Sequence, residues 1–482
     1  MSVDTAQRGL EPVIGLEIHV RLQTRTKMFC GCTNRYGGEP NSRICPVCLG
    51  LPGALPVPNR EAVHMAVRAA LALGCRVNGS SLFERKNYFY PDLPKGYQIS
   101  QYRHPLAKGG GLDFSGPGGP ARAGIVRLHL EEDAGKSIHA GDRTLVDLNR
   151  CGTPLVEIVT GPDFREPGAA RAFLTALRRL VRWIGVSDGN MEEGSLRCDA
   201  NVSLRPAGSD ALGPRTEVKN MNSFKAVEEA LSAEIDRQAG VVSSGASVEP
   251  ATMLWDEEER SARVMRAKES APDYRYFPEP DLLPLLVTAE AVRDERSGLP
   301  EFPGERARRF SEVWGLDADT AAVLTDSRPT ADYFEETVNS GAAPEEAASW
   351  VAGEVLRLRK GRAGGAAPGT LARLLERVAG ERVSRTAAKE VFGRLWEEGG
   401  GPEDVDRLIE EMGLQQLSDE DALREEVGGV LARHPEEAAE WRRGREELTG
   451  FFIGEVMRAT GGAADPHRTR KVLEDVRREG RA

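Results

Sequence analysis

The sequence predicts an α+β protein in which an antiparallel-sheet domain precedes all-helical domains. Four short segments of the first half alternate apolar and polar residues with the period of a β-strand. These strand patterns mix with helical patterns up to about residue 295, where a proline-rich stretch begins. Beyond it the strand patterns end, and Ala, Glu, Arg and Leu dominate. At 482 residues the chain is long enough for about two to four domains.

The four strand-like segments each place chemically reactive side chains on one face. In residues 16–20 the apolar side chains stand at 16, 18 and 20, so Glu17 and His19 share the opposite face. The same alternation groups the polar residues of the other three segments: Arg127, His129 and Glu131, with Glu132 and Asp133 at the strand end; Arg197, Asp199 and Asn201; Glu217 and Lys219. A sheet of these strands would be apolar on one face and rich in acids and bases on the other.

Such a polar face suits divalent cations and phosphate, because hard cations prefer oxygen ligands and phosphates need nearby positive charge. A half-solvated antiparallel sheet also carries polar residues on its outer face without any catalytic role. For a single strand this structural interpretation is the stronger one. Four strands that all mix acids with bases favour a reactive surface.

Helix signals separate these strands. Asn59 is a candidate N-cap for a helix through residue 72, and Pro167 opens a candidate helix through residue 183. Ser223 is the candidate cap of a third, at 224–238. The glycine-rich residues 108–120 are interpreted as a hairpin loop.

In the second half, residues 344–357, 370–378 and 420–432 have helical spacing, and a softer boundary falls near 398–402. The predicted division is therefore a sheet domain at 1–296, a helical domain at 297–405 and a helical tail at 406–482.

Composition restricts the function classes. Hydrophobic residues make up 40% of the chain and charged residues 29%, as in a globular protein. The net charge of −11 argues against a general nucleic-acid coat but allows a local basic patch. Neither an apolar run of about 18 residues nor an N-terminal signal sequence is visible, so we expect a cytoplasmic protein without a membrane partner.

Four of the seven cysteines form two close pairs, Cys30 with Cys32 and Cys45 with Cys48. In an intracellular chain such spacing predicts a tetrahedral, structural zinc site rather than disulfides. The alternative is a set of reduced, unliganded thiols. Cys75, Cys151 and Cys198 are isolated and are interpreted as small partly buried residues.

Standard nucleotide motifs are missing. Residues 134–137 resemble the end of a P-loop, but Leu130 stands where that motif requires glycine. A G-x-G-x-x-G turn between a strand and a helix is also missing. If the protein uses ATP, the polar sheet face must hold it through metal and basic side chains.

Eight strings along the chain are long and unusual: GLEIHV at 15–20, KNYFYPDLPKGYQISQY at 86–102, HLEEDAGK at 129–136, NRCGTPLVEIV at 149–159, GSLRCDANV at 194–202, EVKNMNSF at 217–224, DYRYFPEPD at 273–281 and GEVMRATGG at 454–462. Together and in this order they closely resemble the B subunit of the glutamyl-tRNA(Gln)/aspartyl-tRNA(Asn) amidotransferase, the GatB family. The resemblance covers essentially the whole length.

The resemblance implies an enzyme of three subunits. An amidase A subunit releases ammonia from glutamine, and a small C subunit completes the complex. Glu-tRNA(Gln), Asp-tRNA(Asn) or both bind to the B subunit, which uses ATP to phosphorylate the side-chain carboxylate. Ammonia arriving through an internal channel then displaces phosphate. The family's N-terminal domain resembles a glutamine-synthetase-type fold, in agreement with a polar-faced antiparallel sheet.

The resemblance also implies residue roles. A Mg²⁺ site is built in this family from side chains that match Glu17, His19, Glu131, Glu132 and Glu217. From the strand alternation we add Arg197 and Lys219 as phosphate clamps. The predicted nucleotide- and substrate-binding residues are Lys86, Tyr88, Lys95, Tyr97, Asp199 and Asn201. The loop at 86–102 is then a wall for the tRNA acceptor end and the ammonia path, because unpaired bases stack on aromatic faces; the alternative is an aromatic loop packed on the core.

Two basic clusters are candidate tRNA contacts: the tail at 468–481, and Arg357 with Arg359, Lys360 and Arg362. Either could instead be a solvated helix face. The chain departs from the family at residues 251–254 and 262–266, where a usual Glu, Arg and Thr are missing. Two other functions stay open: a catalytically silent tRNA-binding scaffold, and a stand-alone ATP-dependent carboxylate–amine ligase.

Overall fold

The computed structural model describes residues 9–267, 273–361, 363–415, 420–461 and 463–479. Parts of four sequence interpretations lie outside these ranges: the N-terminal residues 1–8, Arg362 of the second basic cluster, Gly462 of the last family string and Arg481 of the basic tail. The chain divides into two units, Met1–Phe302 and Pro303–Ala482. The finer division into 1–296, 297–405 and 406–482 stays a prediction.

The first unit is built around one large sheet. Its strands are β1 (Leu10–Arg21), β2 (Arg76–Val77), β6 (Ala107–Lys108), β7 (Gly111–Gly116), β8 (Gly119–Glu132), β11 (Pro154–Thr160), β12 (Leu196–Pro206), β13 (Thr216–Met221), β14 (Ala251–Asp256) and β15 (Ser261–Ala267). Shorter strands form three small sheets: β3 (Ser80–Ser81) with β17 (Leu285–Leu286); β4 (Glu84–Asn87) with β5 (Tyr97–Ser100) and β16 (Phe277–Pro278); β9 (Lys136–Ala140) with β10 (Arg143–Asp147).

The large sheet runs in the order β15-β14-β13-β12-β1-β11-β8-β6-β2, and β7 pairs with β8. All four strands predicted to carry reactive side chains lie in it, as β1, β8, β12 and β13. Its pairings are antiparallel except that between β13 and β14, which is parallel. That exception follows from helix α3, which lies between the two strands in the chain and returns it to the same end of the sheet.

Three helices of this unit begin where the sequence predicts. Asn59 caps α1 (Arg60–Ala72) by accepting from the backbone N–H groups of Glu61 and Ala62. Pro167 opens α2 (Pro167–Trp183), and the Ser223 hydroxyl caps α3 (Phe224–Ser243). α3 continues beyond the predicted end at Gln238 because Gly240 is accommodated within the helix, which ends just before Gly245, whose φ is +79°. The last helix of the unit is α4 (Ala289–Ser297).

The apolar face of the sheet is the core of the first unit. The side chains of Leu16, Ile18, Leu128 and Leu130 are at most 1% exposed, and α3 packs on β12 and β13. The glycine-rich residues 108–120 form strand β7 and its turn into β8 rather than a long loop. The polar face is left for the reactive side chains, as predicted.

The second unit contains helices, and none of its described residues forms a strand. The helices are α5 (Pro303–Trp314), α6 (Ala318–Leu324), α7 (Arg328–Asn339), α8 (Pro344–Trp350), α9 (Leu356–Gly361), α10 (Pro368–Ala379), α11 (Arg385–Glu398), α12 (Asp404–Glu411), α13 (Glu420–Arg433), α14 (Pro435–Arg442), α15 (Leu448–Ala459) and α16 (Pro466–Glu479). A π-helical turn, Val351–Val355, joins α8 to α9. The predicted fold class, an α+β sheet unit followed by helices, is confirmed. Among the described residues there is no helix both long enough and apolar enough to cross a membrane.

Candidate active site

Three side chains from three neighbouring strands converge at the centre of the polar sheet face. His19 on β1 lies directly opposite Glu157 on β11, and β8 brings Glu131 alongside. His19 Nε2 lies 3.3 Å from Glu131 Oε1 and 3.5 Å from Glu157 Oε2. The two carboxylates are almost completely buried, whereas the His19 side chain is 20% exposed. We call these three residues the central cluster.

Burial and mutual charge set the protonation of the central cluster. Burial alone would lower the pKa of His19, but the Glu157 hydrogen bond and the nearby Glu131 charge outweigh it and raise that pKa to about 9. Burial raises the pKa of Glu131 to about 7. Burial also opposes the charge of Glu157, but His129 and His19 hold the pKa of Glu157 well below its usual range. The cluster therefore concentrates negative charge on Glu157.

A second histidine borders the cluster. His129 Nε2 lies 3.5 Å from Glu157 Oε2 and 3.9 Å from Glu131 Oε2, and burial lowers the pKa of His129 to about 4. Arg127 approaches the other Glu157 oxygen at 3.8 Å, and the Ser100 hydroxyl donates to Glu131 at 3.3 Å. The pKa values of the two histidines on this face thus shift in opposite directions.

A second group of predicted residues lies around Glu17, which comes two residues before His19 on β1. The Asn201 amide donates to Glu17 Oε1 at 3.0 Å. Lys219 Nζ bridges two carboxylates: it forms an ion pair with Asp199 and lies 2.9 Å from Glu217 Oε1. These partners raise the pKa of Lys219 although burial opposes its charge. Glu217 also accepts from the hydroxyl of Thr252, at 3.3 Å, within the segment that departs from the family pattern.

Arg197 lies on β12, two residues before Asp199 and on the same face. It is opposite His19 in the strand register and donates to Asp133 Oδ2 at 2.8 Å, while Arg150 approaches the same oxygen at 3.5 Å. Burial works against its charge, but Asp133 holds the pKa of the guanidinium above its usual value. Two fixed cations, Arg197 and Lys219, therefore lie on β12 and β13, on the β12 side of the central cluster.

Glu132 does not join the central cluster. Since it follows Glu131 along β8, its side chain points to the other side of the strand. There it forms a buried ion pair with Lys95 and accepts from the Ile99 backbone at 3.0 Å. Lys95, Tyr97 and Glu132 line a small cavity of about 110 Å³ together with Cys30 and Cys48.

Aromatic side chains form a wall beside the cluster. The Tyr102 and Tyr276 rings stack with centroids 4.5 Å apart, and Tyr274 lies edge-on to both Tyr276 and Tyr88. Lys86 Nζ lies 5.0 Å from the Tyr274 ring centroid. Burial opposes the charge of Lys86, but the negative charges of Glu131 and Glu157 raise its pKa.

Cys30, Cys32, Cys45 and Cys48 come together between β1 and α1, with their sulfur atoms within 4.8 Å of one another. The Cys30 thiol donates to Cys48 and lowers the pKa of Cys48 to about 5, with the positive charge of Lys27 adding to the effect. Lys27 is completely buried: its Nζ donates to the Arg43 carbonyl at 2.8 Å and lies 3.8 Å from Cys48 Sγ. Four converging sulfurs fit a tetrahedral metal ion such as zinc.

The central cluster fits a different kind of ion. One ligand atom from each of His19, Glu131 and Glu157 lies within 4.8 Å of the others. Two carboxylate oxygens and an imidazole nitrogen form a donor set for a hard or borderline divalent cation, not for a thiol-seeking one.

Comparison with known proteins decides the family. Residues 12–293 match the model of the GatB/GatE catalytic domain, and residues 332–476 match the model of the GatB domain. Three similar relatives come from Geotalea uraniireducens (49% identical, covering 96% of this chain and 98% of the relative), Halorhodospira halophila (50%, 96% and 98%) and Moorella thermoacetica (48%, 96% and 99%). Each is named as the B subunit of an aspartyl/glutamyl-tRNA(Asn/Gln) amidotransferase.

The chain belongs to this family. The resemblance stated from the eight strings is therefore confirmed, and so are the function and enzyme class it implied, those of a B subunit in a tRNA-dependent, glutamine-dependent amidotransferase. The names of the relatives also indicate a multi-subunit enzyme.

The structure brings most of the predicted site residues of this family member onto one surface. Glu17, His19, Glu131, Arg197, Asp199, Asn201, Glu217 and Lys219 all lie on the polar sheet face. Lys86 and Tyr88 lie at its aromatic wall, whereas Lys95, Tyr97 and Glu132 lie around the small cavity. The catalytic, metal-binding and ligand-binding roles of these residues stay predictions.

Sequence reasoning missed Glu157, which completes the central cluster. It lies in a strand, β11, whose residues are nearly all buried and whose sequence does not alternate. A signal was nevertheless present, because a single glutamate inside the apolar run Leu155–Val159 is costly to bury without a partner. His129 and Asp133 were recognised as face residues but were not included among the predicted site residues.

Proposed function

We propose that this chain activates the amino acid carried by a mischarged tRNA, as the B subunit of a glutamine-dependent amidotransferase. ATP phosphorylates the side-chain carboxylate of Glu-tRNA(Gln), Asp-tRNA(Asn) or both. Ammonia released from glutamine by the amidase A subunit then replaces the phosphate. A small C subunit completes the complex, which works in the cytoplasm. The central cluster is the observation that carries this proposal, because it joins two carboxylates and a histidine on the polar sheet face, with Arg197 and Lys219 on the neighbouring strands β12 and β13.

The chemistry explains why such a surface is needed. A carboxylate is a poor electrophile because its hydroxide leaving group is poor. In the first step a carboxylate oxygen attacks the γ-phosphorus of ATP and ADP leaves, which gives an acyl phosphate. In the second step the ammonia nitrogen attacks the acyl carbon, the C–O bond to phosphate breaks, and a proton lost from nitrogen ends on the phosphate. The net products are the amide, ADP and inorganic phosphate.

Both reactants of the first step are anions, so positive charge has to be supplied where they meet. Arg197 and Lys219 are proposed to hold phosphate oxygens from the β12 and β13 side of the central cluster. Each is already oriented by a carboxylate, Asp133 for Arg197 and Asp199 for Lys219. A clamp whose side chains are fixed before binding loses less entropy when the phosphate arrives.

The residues of the central cluster fit a Mg²⁺ ion, and we propose that His19, Glu131 and Glu157 hold it, with Glu17 and Glu217 as further carboxylates. A bound Mg²⁺ would supply charge neutralisation for the approaching phosphate. His129 stays neutral beside these carboxylates, because burial lowers its pKa to about 4. It therefore adds no competing positive charge at the metal position.

The aromatic wall is proposed to hold the acceptor end of the tRNA. Tyr88 and the stacked pair Tyr102 and Tyr276 offer ring faces for unpaired bases, and Lys86 offers a charge for a phosphate. The cavity of Lys95, Tyr97 and Glu132 lies on the side of β8 away from the central cluster. We assign this cavity to ligand passage rather than to Mg²⁺.

The decisive test combines the chain with its A and C partners, Glu-tRNA(Gln), ATP, Mg²⁺ and glutamine, and identifies the amino acid left on the tRNA. We expect Gln, and no Gln when ATP is omitted. A parallel reaction with Asp-tRNA(Asn) tests the second substrate. If neither tRNA is converted although both bind, the chain is a silent scaffold; if it amidates a free small carboxylate without its partners, it is a stand-alone ligase.

Glu157→Gln tests the central cluster in the same assay. We expect amidation to fall by roughly a hundredfold or more, since a carboxylate of the proposed Mg²⁺ site is lost. The dissociation constant for tRNA should stay within about threefold, because Glu157 is buried beneath the surface that tRNA contacts. The exposed Glu166→Gln, at the start of α2, is the matched control. Full activity of Glu157→Gln would remove the cluster from the mechanism.

A further inference from the structure

A basic cavity lies beside the cysteine cluster and plays no part in the mechanism above. It is open, has a volume of about 560 Å³, and is lined by Thr24, Arg25, Thr33, Arg35 and Arg43. Three of these five residues are arginines, and the lining includes no aspartate or glutamate. This concentration of positive charge stands out in a chain whose net charge is −11.

The cysteine-containing loop builds the cavity by folding back on itself. Thr26 and Thr33 form an isolated antiparallel bridge, and the Asn34 backbone donates to the Arg25 carbonyl at 3.0 Å. The side chains of Arg25 and Arg35 therefore extend from two segments of chain that lie next to each other. Both side chains are exposed.

Arg43, in contrast, is held in place. Its guanidinium donates to the Arg35 carbonyl at 2.5 Å and to the Tyr36 carbonyl at 3.3 Å. Gly38 makes this approach possible: its φ is +92°, and a Cβ there would lie 2.6 Å from Arg43 Nη2. The Arg43 backbone N–H donates to Asn149 at 2.8 Å, which ties the loop to the rest of the unit.

Within the described part of the chain, none of these three arginines forms an ion pair, although most arginines elsewhere contact a carboxylate. Three like charges around one cavity repel one another. The arrangement becomes favourable when an anion enters, and a guanidinium fork matches the oxygens of a phosphate.

Two further features distinguish a nucleic-acid backbone from a small anion. The cavity is open to solvent rather than enclosed, so a long polyanion can cross it. Tyr36, which follows Arg35, is 57% exposed and offers a ring face next to the arginines. A basic groove with an exposed aromatic ring is typical of sites that hold unpaired nucleotides.

The position of the cavity along the chain agrees with an RNA substrate. Thr24 and Arg25 come shortly after the end of β1, the strand that carries Glu17 and His19. We propose that Arg25, Arg35 and Arg43 bind phosphates of the tRNA substrate on its way to the polar sheet face, with Tyr36 available for stacking. The proposal rests on the proposed function, since it names a contact for that same substrate.

The test uses the complete complex carrying Arg25→Gln together with Arg35→Gln. We expect the dissociation constant for tRNA to rise about tenfold at moderate salt, and the slope of log affinity against log salt to become shallower by about one per lost phosphate contact. At saturating tRNA, kcat should stay unchanged. The matched control is Arg122→Gln with Arg171→Gln, which removes two exposed arginines on β8 and α2 that do not line the cavity. Arg25→Lys should recover part of the affinity.

Other outcomes would overturn the proposal. Unchanged tRNA affinity and salt slope would show that the cavity does not bind RNA. Loss of complex assembly would assign the arginines to an acidic surface of a partner protein, and a raised KM for ATP alone would assign them to the nucleotide. Failure of the unaltered complex to amidate any tRNA would instead reject the proposed function, so the two failures are distinguishable. Melting temperature and metal content of the variants verify that the loop still folds.

Discussion

At the scale of single residues, the polar sheet face holds two histidines whose pKa values move in opposite directions. The pKa of His129 falls to about 4 because the ring is buried, although Glu157 opposes the shift. The pKa of His19 rises to about 9 because Glu157 and Glu131 outweigh the effect of its burial. Strand alternation placed both rings on one face, but only tertiary packing determines which ring is charged.

These shifts predict how the metal-free protein responds to pH. His19 binds its proton more tightly when folded, so its stabilising contribution is complete below about pH 6.5 and is lost as the pH rises through about 9. His129 takes up a proton more readily when unfolded, so stability falls as the pH drops from about 6.5 towards 4.

NMR chemical shifts of the imidazole rings, recorded as a function of pH with a chelator present, measure the pKa values of His19 and His129. Two histidines titrating together near pH 6.5 would contradict the geometry of the central cluster.

Lys27 is the second residue whose environment makes a sharp prediction. Replacement by Met keeps the volume of the buried stem but removes the charge next to Cys48 and leaves the Arg43 carbonyl without this donor. We expect a loss of about 2–4 kcal/mol in folding stability and weaker retention of zinc. Melting temperature and metal content after dialysis against a chelator measure the two effects.

The control for Lys27→Met is Lys225→Met on α3, where the side chain is 74% exposed and its ion pair with Glu229 contributes little. If Lys27→Met held zinc as tightly as the unaltered chain, the buried ammonium would have no role at the cysteine cluster.

At the scale of elements, local signals in the sequence predicted helix starts better than buried strands. Asn59, Pro167 and Ser223 act through contacts within a few residues, so their helices were predictable. β11 was not predicted because it is buried on both faces and loses the alternation that identifies a strand. The central cluster could be predicted only in part for the same reason, since Glu157 lies on that strand.

Glu132 shows the limit of the resemblance at this scale. Family strings place Glu131 and Glu132 together, yet consecutive strand residues point to opposite sides. The structure therefore brings only Glu131 next to His19, while Glu132 pairs with Lys95. A sequence motif shows which residues are adjacent along the chain, but the geometry of the strand determines which of them face the same site.

The Asn59 cap makes a prediction for α1. Its side chain accepts from Glu61 N at 2.9 Å and donates to the Thr26 carbonyl at 3.0 Å, so it joins the helix to the loop of the cysteine cluster. Asn59→Ala removes both functions and should cost about 2 kcal/mol, whereas Asn59→Asp keeps the cap and should cost less.

Thermal unfolding of the full chain compares the two variants with Ser384→Ala, which removes an ordinary cap from α11 in the other unit. Equal losses for Asn59→Ala and Asn59→Asp would mean that the donor to Thr26, not the cap, carries the stability. Equal losses for Asn59→Ala and Ser384→Ala would remove the special role of the link to the loop.

At the scale of the whole molecule, charge is distributed unevenly. The chain as a whole is acidic, yet Arg25, Arg35 and Arg43 line one cavity, and Arg197 and Lys219 lie on one side of the central cluster. In the tail helix α16, Arg468 and Arg477 approach Glu381 and Glu446, while Arg470 and Lys471 are exposed. An acidic background with local basic sites discourages nonspecific binding to nucleic acid and leaves recognition to a few positions.

The division of the chain into a sheet unit and a helical unit follows directly from the change in composition near the proline-rich stretch. The order of the strands in the sheet does not follow from composition, because it depends on pairings between distant segments that no local pattern predicts. The parallel β13–β14 pair illustrates this, since its direction is set by the α3 connection rather than by either strand.

The place of β1 in the sheet order has a consequence for biosynthesis. β1 leaves the ribosome well before its sheet neighbours, because β11 and β12 begin roughly 130 and 175 residues after it ends. At about 5–20 residues per second, its apolar face waits on the order of ten seconds for a partner. During that interval Ile14, Leu16 and Ile18 are exposed on an unpaired strand. The unpaired strand is open to wrong pairing during that time, and the reactive surface can form only after β11 and β12 have been made.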